Sequence, residues 1–377
     1  MSKINDLIKE KCPNGVEYKK LKDCCKILDN MRKPVKKGAR EKGLYPYYGA
    51  NGIQDYVSDY IFDGRFVLVG EDGSVMTTSG TPIVNWAEGK IWVNNHAHVI
   101  EEIEGIMLRY LFHYIQTIDV TDLIHGNIPK LNQRDFINLT IAVPPIEVQD
   151  EIVKVLDKFN ELETELETEL EARQKQYEFY REELLKPKPK ILYKNYNICE
   201  ITEKIFAGGD VPKDTIKGLT EPKDEYIYPV ISNGVGPNAI YGYSKNYRVS
   251  GNTVTISARG TVGYHTARFE KYTPIIRLIT IIPNEEIVLA KYLNYVLYIT
   301  QIESTNGGIQ QITIPMIKKI NLDIPPLEEQ QKIVNILDKF DKLANDISEG
   351  LPTEIELRRK QYEYYRNKLL NFKEVIA

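Results

Sequence analysis

The sequence predicts an α+β protein. Two mixed α/β domains alternate with two long helices that pair antiparallel as a coiled-coil spacer, and a pseudo-twofold relates the halves. Three observations predict this. "RQKQYEFYREELL" at 173–185 returns as "RRKQYEYYRNKLL" at 358–370, with nine of thirteen positions identical. "IAVPPIEVQDEIVKVLDKF" at 141–159 matches "LDIPPLEEQQKIVNILDKF" at 322–340. Upstream of each block lie short β-rich runs between Gly, Asn and Asp turns. At 377 residues the chain exceeds what one core usually organises, so two or more domains are expected.

The first domain is assigned to residues 1–143. Runs such as "RFVLVG" and "KIWVNNHAHVI" read as strands, and 107–117 as a helical piece near its end. A first spacer helix follows at 144–186. It begins after Pro144-Pro145, where proline suits a helix start. Ile152, Leu156, Phe159, Leu162, Leu166, Leu170, Tyr177, Tyr180 and Leu184 recur at steps of three or four, with one skipped turn. So narrow a stripe suits packing on one or two other helices. "KPKPK" at 186–190 stops the helix.

The second domain, 187–324, repeats the style with "YPVISNG", "NTVTISARG" and "PIIRLITIIP", and a helical piece at 289–301. The second spacer helix, 325–377, follows Pro325-Pro326. Its stripe is Leu337, Phe340, Leu343, Ile347, Leu351, Ile355, Tyr362, Tyr365 and Leu369. Gly350-Leu351-Pro352 predicts a kink or break. The repeat offset is 181 through the Pro-Pro block, where Gly126, Ile128 and Leu131 also meet Gly307, Ile309 and Ile312, and 185 through the tyrosine block. The four extra residues approximate one helical turn, which keeps the apolar face in phase.

Charge is distributed by segment. Residues 141–188 carry 13 acidic and 7 basic side chains, and 322–373 carry 10 and 9. Subtracting both from the chain's −4 leaves +3 for everything else, so the globular regions are mildly basic and the helices acidic. The four cysteines show no CxxC pair and are read as reduced, no apolar run suits a bilayer, and the N-terminal residues lack the apolar core of a signal peptide. A cytoplasmic protein is expected. No P-loop, Rossmann glycine fingerprint, NPPY-type motif or nuclease carboxylate cluster is visible, so the chain is expected to be non-catalytic.

Two similar domains on a rigid rod suit an elongated, regular target. DNA fits, with half-sites one helical turn, about 34 Å, apart. The domain order, the "IPPLEEQQKIVNILDKFD" block and the "ISEGLPTEIELRRKQYEYYRNKLL" block resemble the specificity (S) subunit of Type I restriction–modification systems. The resemblance covers nearly the whole chain, including "NNHAHV" and the "GNIPKL"/"GGIQQI" pair. It implies two target recognition domains, each reading half of a split sequence in double-stranded DNA. It implies also two methyltransferase subunits docked on the helices, modifying adenine N6, and a motor–nuclease subunit joining for cleavage. S-adenosylmethionine, ATP and Mg²⁺ would belong to those partners, with no cofactor on this chain. The alternatives are a specificity subunit of a related Type II system and, in another class, a non-DNA coiled-coil scaffold.

Candidate DNA contacts follow from side-chain chemistry. Lys36, Lys37 and Arg40 lie in "NMRKPVKKGAREKG", which has six basic residues and one acidic, and could neutralise phosphates. In "NNHAHV", strand alternation would put Asn94, His96 and His98 on one face and Asn95 on the other. An asparagine amide can pair with adenine. The competing reading is structural, with buried amides and imidazoles holding a loop. No third ligand of matching pattern accompanies His96 and His98, so no metal is expected. Lys130, Asn132 and Gln133, then Gln310, Gln311 and Thr313, occupy equivalent places before each helix. Ser232, Asn233 and Arg259 stand in turns of the second half, and Arg259 could fork onto guanine. Tyr177, Tyr180, Tyr362 and Tyr365 lie on the striped faces. Their near-identity predicts two equivalent methyltransferase-docking surfaces, beyond the seam between helices.

Overall fold

The computed structural model describes residues 2–124, 127–300, 302, 304, 310–345 and 350–375. Gly126, Gly307, Ile309, Ile347 and the predicted helix end at Gln301 lie outside the described residues. The chain's contacts form two units. Unit 1 comprises Met1–Glu167 with Glu354–Ala377, and unit 2 comprises Thr168–Thr353.

Unit 1 opens with α1 (Ser2–Lys11), β1 (Glu17–Lys20) and β2 (Lys26–Ile27). Then come β3 (Lys42–Gly49), β4 (Gly52–Val57), β5 (Phe62–Gly70), β6 (Val84–Val93) and β7 (Ala97–Glu101). Strands β2 to β7 form one sheet in the order β2-β7-β5-β6-β3-β4. The antiparallel β5–β6 ladder runs from Phe62 opposite Ile91 to Val69 opposite Val84. Both faces of β5 are covered, which explains its unbroken apolar run: Phe66 and Leu68 enter one core with Ala87, Ile91 and Val99, and Val67 and Val69 enter another with Leu108, Leu111 and Phe136. Helix α2 (Leu108–Ile115) lies on β5 and β6, and the short α3 (Gln133–Phe136) precedes β8 (Thr140–Val143), which pairs antiparallel with β1. Next comes α4 (Ile146–Leu185), 40 continuous residues.

Unit 2 repeats this frame. Its elements are β9 (Lys194–Asn197), β10 (Thr202–Ala207), β11 (Ile216–Lys217), β12 (Tyr228–Ile231), β13 (Ile240–Ser244) and β14 (Thr253–Ile256). They continue with β15 (His265–Arg268), β16 (Thr273–Pro274), β17 (Ile279–Pro283), α5 (Ala290–Ile299), α6 (Ile314–Ile317) and β18 (Asn321–Ile324). Two four-stranded sheets form, β10-β17-β14-β15 and β11-β13-β12-β16, and β18 pairs with β9 as β8 pairs with β1. Helix α7 (Leu327–Asn345) packs against α5.

The final helix, α8 (Leu351–Leu369), lies in unit 1 from Glu354 onward. The second spacer comprises two helices of 19 residues each, α7 and α8, with Pro352, at the expected kink or break, in the first turn of α8. One correction to the linear reading follows: the spacer segments do not stand apart from the domains, and their apolar faces complete the domain cores. Within unit 1, Phe159 of α4 stacks on Tyr365 of α8 at 5.4 Å, and Arg359 bridges Glu163 and Glu167. Within unit 2, Tyr180 of α4 stacks on Phe340 of α7 at 5.3 Å. In unit 2, Lys188 just past α4 also reaches Glu329 of α7 at 3.7 Å. Residue numbers rise on one helix as they fall on the other, so each pairing is antiparallel. Past α8 the chain straps onto the start of β1: the Val16 amide donates to Lys373 O at 2.8 Å and Tyr18 Oη to Phe372 O at 2.8 Å. Gly15, at φ 103°, makes room, since a Cβ there would meet the Lys373 carbonyl at 2.5 Å.

Candidate nucleic-acid interface

In unit 1 the basic run divides by use. Lys36 and Lys37 are exposed. Arg40 is not free for phosphate, a correction to its expected role. Its Nε donates to Val35 O at 3.1 Å, a terminal nitrogen reaches Asp55 at 3.3 Å, and the guanidinium stacks over Tyr47 at 4.0 Å. Arg32 turns fully inward. It contacts Glu71 at 2.5 Å and Asp29 at 3.4 Å, and donates to Ala97 O at 2.7 Å.

"NNHAHV" does not alternate as a strand through its length. Asn94 is buried, and its Oδ1 accepts the His96 amide at 2.8 Å, closing a turn before β7 starts at Ala97. Asn95 is exposed at the tip. His96 pairs with Asp72. His98 is wholly buried, between Asp29 at 2.7 Å and Leu131 O at 2.8 Å, with its ring stacked on Phe136 at 4.1 Å. Both of its ring nitrogens face acceptors. Burial pushes the Asp29 carboxyl up, but the His98 hydrogen bond and charge, the Val99 amide and Arg32 outweigh it and hold the group below its usual range. Lys130 reaches Glu71 at 3.2 Å, and Gln133 Nε2 reaches Asp29 at 3.3 Å. Asn132 caps α3 by accepting the Asp135 amide. Three of the expected base readers, Asn94, His96 and Asn132, are therefore bound up in holding loops. Asn95, Lys130 and Gln133 stay at the surface.

A ligand set missing from the sequence reading does converge here: one donor atom each of Asp29, Glu71 and His98 lies within 4.8 Å of the others. The Arg32 guanidinium spans both carboxylates, so the chain supplies the positive charge that a cation would bring.

In unit 2, Asn233 is likewise a clamp. Its Nδ2 donates to Ile276 O at 2.7 Å and its Oδ1 accepts the Ala258 amide at 2.8 Å. Ser232 Oγ donates to Ala239 O at 3.3 Å. Arg259 is exposed and donates to Gln311 Oε1 at 3.0 and 3.3 Å. The Ile312 amide, donating to Ala258 O at 3.0 Å, brings the two loops together. Gln310 is exposed and Thr313 stands at the N-cap of α6. Arg259, Gln310 and Gln311 thus form one polar surface cluster.

The tyrosine blocks require a correction. Tyr177 and Tyr362 are buried, each in the core of the unit that the other repeat's globular segment builds. Tyr362 Oη lies 2.8 Å from His113 Nδ1, and Arg366 sits over its ring and donates to Gln116 at 3.2 Å. In unit 2, Arg181 lies over Tyr177 and Tyr298, at 5.2 and 4.5 Å. Near-identity of the blocks is thus explained by two internal seams of one design. Tyr180 and Tyr365 stack on Phe340 and Phe159, whereas Phe179 and Tyr364, equivalent at offset 185, stand 61% and 60% exposed.

His113 gives the unit 1 seam a pH dependence. Burial lowers its pKa, with Asp157 pulling the other way and Arg109 and Arg366 adding to the lowering. A depressed imidazole favours the fold above its unfolded value near 6.5, and that contribution drains as pH falls through the folded value. Unit 2 has Tyr295 at this place, bonded to Asp338 at 2.7 Å. Amide-exchange protection of α8 should therefore fall between pH 7 and pH 5, and His113→Gln should remove that dependence.

Two further pairs escaped the sequence reading. Gln149 and Gln330 are fully buried. Gln149 accepts the Met107 amide at 2.9 Å and donates to Gly105 O and Pro144 O; Gln330 accepts the Leu289 amide at 3.0 Å and donates to Ile287 O and Pro325 O. Asp157 holds Arg109 and His113, and Asp338 holds Lys291 and Tyr295. Both pairs sit at offset 181 inside the repeated Pro-Pro block, where their identity was visible.

The model of the Type I restriction modification DNA specificity domain matches residues 13–173 and 191–357, one copy per repeat. A putative type I restriction enzyme specificity subunit of Haemophilus influenzae is 39% identical across 98% of this chain and all of that protein. A putative type I specificity subunit of Mycoplasma pneumoniae is 32% identical across 94% and 97%. The EcoR124I/EcoR124II specificity subunit of Escherichia coli is 29% identical across 71% of each. Among solved structures, the S subunit of the M. genitalium Type I system superposes with a TM-score of 0.63 at 14% identity, over 96% of this chain and 98% of that one, a likeness of fold. With two matched domains set on two duplicated frames, the chain belongs to the family of Type I restriction–modification DNA specificity subunits.

Proposed function

We propose that this chain recognises a bipartite DNA target, one half-site per unit, and presents it to two methyltransferase subunits that modify adenine N6. One observation carries the reading. The two units share a duplicated frame down to the Gln149/Gln330 clamp, yet their surface loops are chemically unlike: exposed Lys36, Lys37, Asn95, Lys130 and Gln133 in one, exposed Arg259 and Gln310 with half-buried Gln311 in the other. Matching frames with unlike tips are what two different half-sites require. The chain itself carries out no chemistry. S-adenosylmethionine, ATP and Mg²⁺ act on partner subunits, including a motor–nuclease.

A partner that binds twice needs the same surface twice. Phe179 and Tyr364 meet that condition, as do Ile146 and Leu327, exposed at the first positions of α4 and α7. Exposed aromatics are common interface anchors, worth about 2 kcal/mol when buried centrally. Phe179→Ala with Tyr364→Ala should leave the fold intact and sharply reduce co-purification with the methyltransferase. Undiminished co-purification would remove these positions from the interface.

Methylome sequencing of cells expressing the chain with its methyltransferase tests the whole reading. A split motif with a nonspecific centre is expected. One continuous short motif would contradict recognition by two units.

A further inference from the structure

The turn between β16 and β17 is unusual. Leu278 N donates to Ile275 O at 3.0 Å, closing a four-residue turn whose central residues, Ile276 and Arg277, have φ of 51° and 60°. Two positive φ values in succession define a turn normally built from Asn and Gly. A β-branched isoleucine there is an outlier. Such conformations persist only where the surroundings fix them, and they gather at ligand-contacting positions.

The surroundings do fix this one. Ile276 N donates to Gly209 O at 3.0 Å, Arg277 N donates to Gly208 O at 3.1 Å, and Ile276 O accepts from Asn233. Gly208 allows the approach, since a Cβ there would lie 2.7 Å from Ile275 N. The backbone is held while the side chains project: Ile276 is 51% exposed and Arg277 is exposed. Among the described residues no carboxylate or other side chain pairs with Arg277. The Arg248 guanidinium stands beside Gly209, and Arg259 follows Ala258 on the other arm of the Asn233 clamp. The tip thus carries one arginine and has a second, Arg248, beside the Gly209 segment that holds it. At offset 181 the tip corresponds to Asn95–His96 of unit 1, where the Asn94 amide donates to Tyr48 O much as Ile275 N donates to Ile231 O.

Resting on the reading of the chain as a DNA-recognition subunit, we propose that the Ile276–Arg277 turn is the base-reading tip of unit 2. Arg277 forks onto guanine in the major groove, and Ile276 packs on a neighbouring base edge such as a thymine methyl. A turn whose Ile276 and Arg277 amides and Ile276 carbonyl are all bonded presents both side chains with little ordering of the backbone on binding.

The test is selection from a randomised duplex library by the full chain assembled with its methyltransferase. Arg277→Ala should reduce discrimination at one base pair of one half-site about 10- to 100-fold, leaving the other half-site unchanged. Arg277→Lys, which keeps the charge and loses the fork, should share that loss. Ile276→Gly relieves the backbone conformation and so preserves the fold, yet should weaken preference at the adjacent position. A selective wild type whose preferences both Arg277 variants retain overturns the role of the turn alone. So does an equal loss of affinity for all sequences, the mark of a phosphate contact. A wild type that selects no sequence overturns DNA recognition and the turn's role together.

Discussion

Arg32→Met is expected to destabilise unit 1 by about 3–5 kcal/mol, the scale of removing one partner from a buried ion pair. Arg32 and Glu71 side chains are each 11% exposed and Asp29 is 3% exposed. Methionine keeps most of the volume and none of the charge. It leaves two desolvated carboxylates without their arginine, Asp29 with His98, the Val99 amide and Gln133, and Glu71 with Lys130. The loss should show as lowered urea resistance and as faster amide exchange in β7 and the 129–133 loop. The double variant with Glu71→Gln should recover part of it, because one stranded charge is gone. A loss under about 1 kcal/mol for Arg32→Met would mean that the network is solvated.

That network also marks where sequence reasoning stops. Arg32 sits in a run of six basic residues, and nothing in the run separates the arginine that turns inward from the lysines that stay outside. Periodicity identified the apolar stripes carrying Tyr177 and Tyr362, because a face shows up in spacing. It could not name the partner of that face, and each tyrosine block completes the core of the opposite repeat's domain. The Pro-Pro helix starts and the break at Gly350-Leu351-Pro352 were legible, since proline acts locally. The Ile276–Arg277 turn was not. It lacks the glycine or asparagine that announces positive φ, and its conformation is imposed by Gly208, Gly209 and Asn233, far away in sequence. Asn94 and His96 were misplaced for a related reason: an asparagine side chain that accepts a nearby amide ends the strand that alternation assumes.

The buried glutamines give the second large effect, and they test the duplication itself. In each unit one amide side chain ties the start of a long helix to the loop entering α2 or α5, accepting one backbone amide and donating to two carbonyls. Gln149→Leu keeps the volume but strips the Met107 amide and the Gly105 and Pro144 carbonyls of their side-chain partner. A buried polar group without a partner costs about 1–3 kcal/mol, so a loss on the order of 3 kcal/mol is expected in unit 1. Gln330→Leu should impose a similar loss on unit 2 through Leu289, Ile287 and Pro325. Exchange measured separately over 146–156 and 327–337 should show each variant opening its own helix start first. If either variant leaves both starts equally protected, the clamp contributes little to the frame. A loss confined to one unit by each variant, and of similar size in both, is the signature of a single anchoring device inherited twice while the surface loops around it diverged.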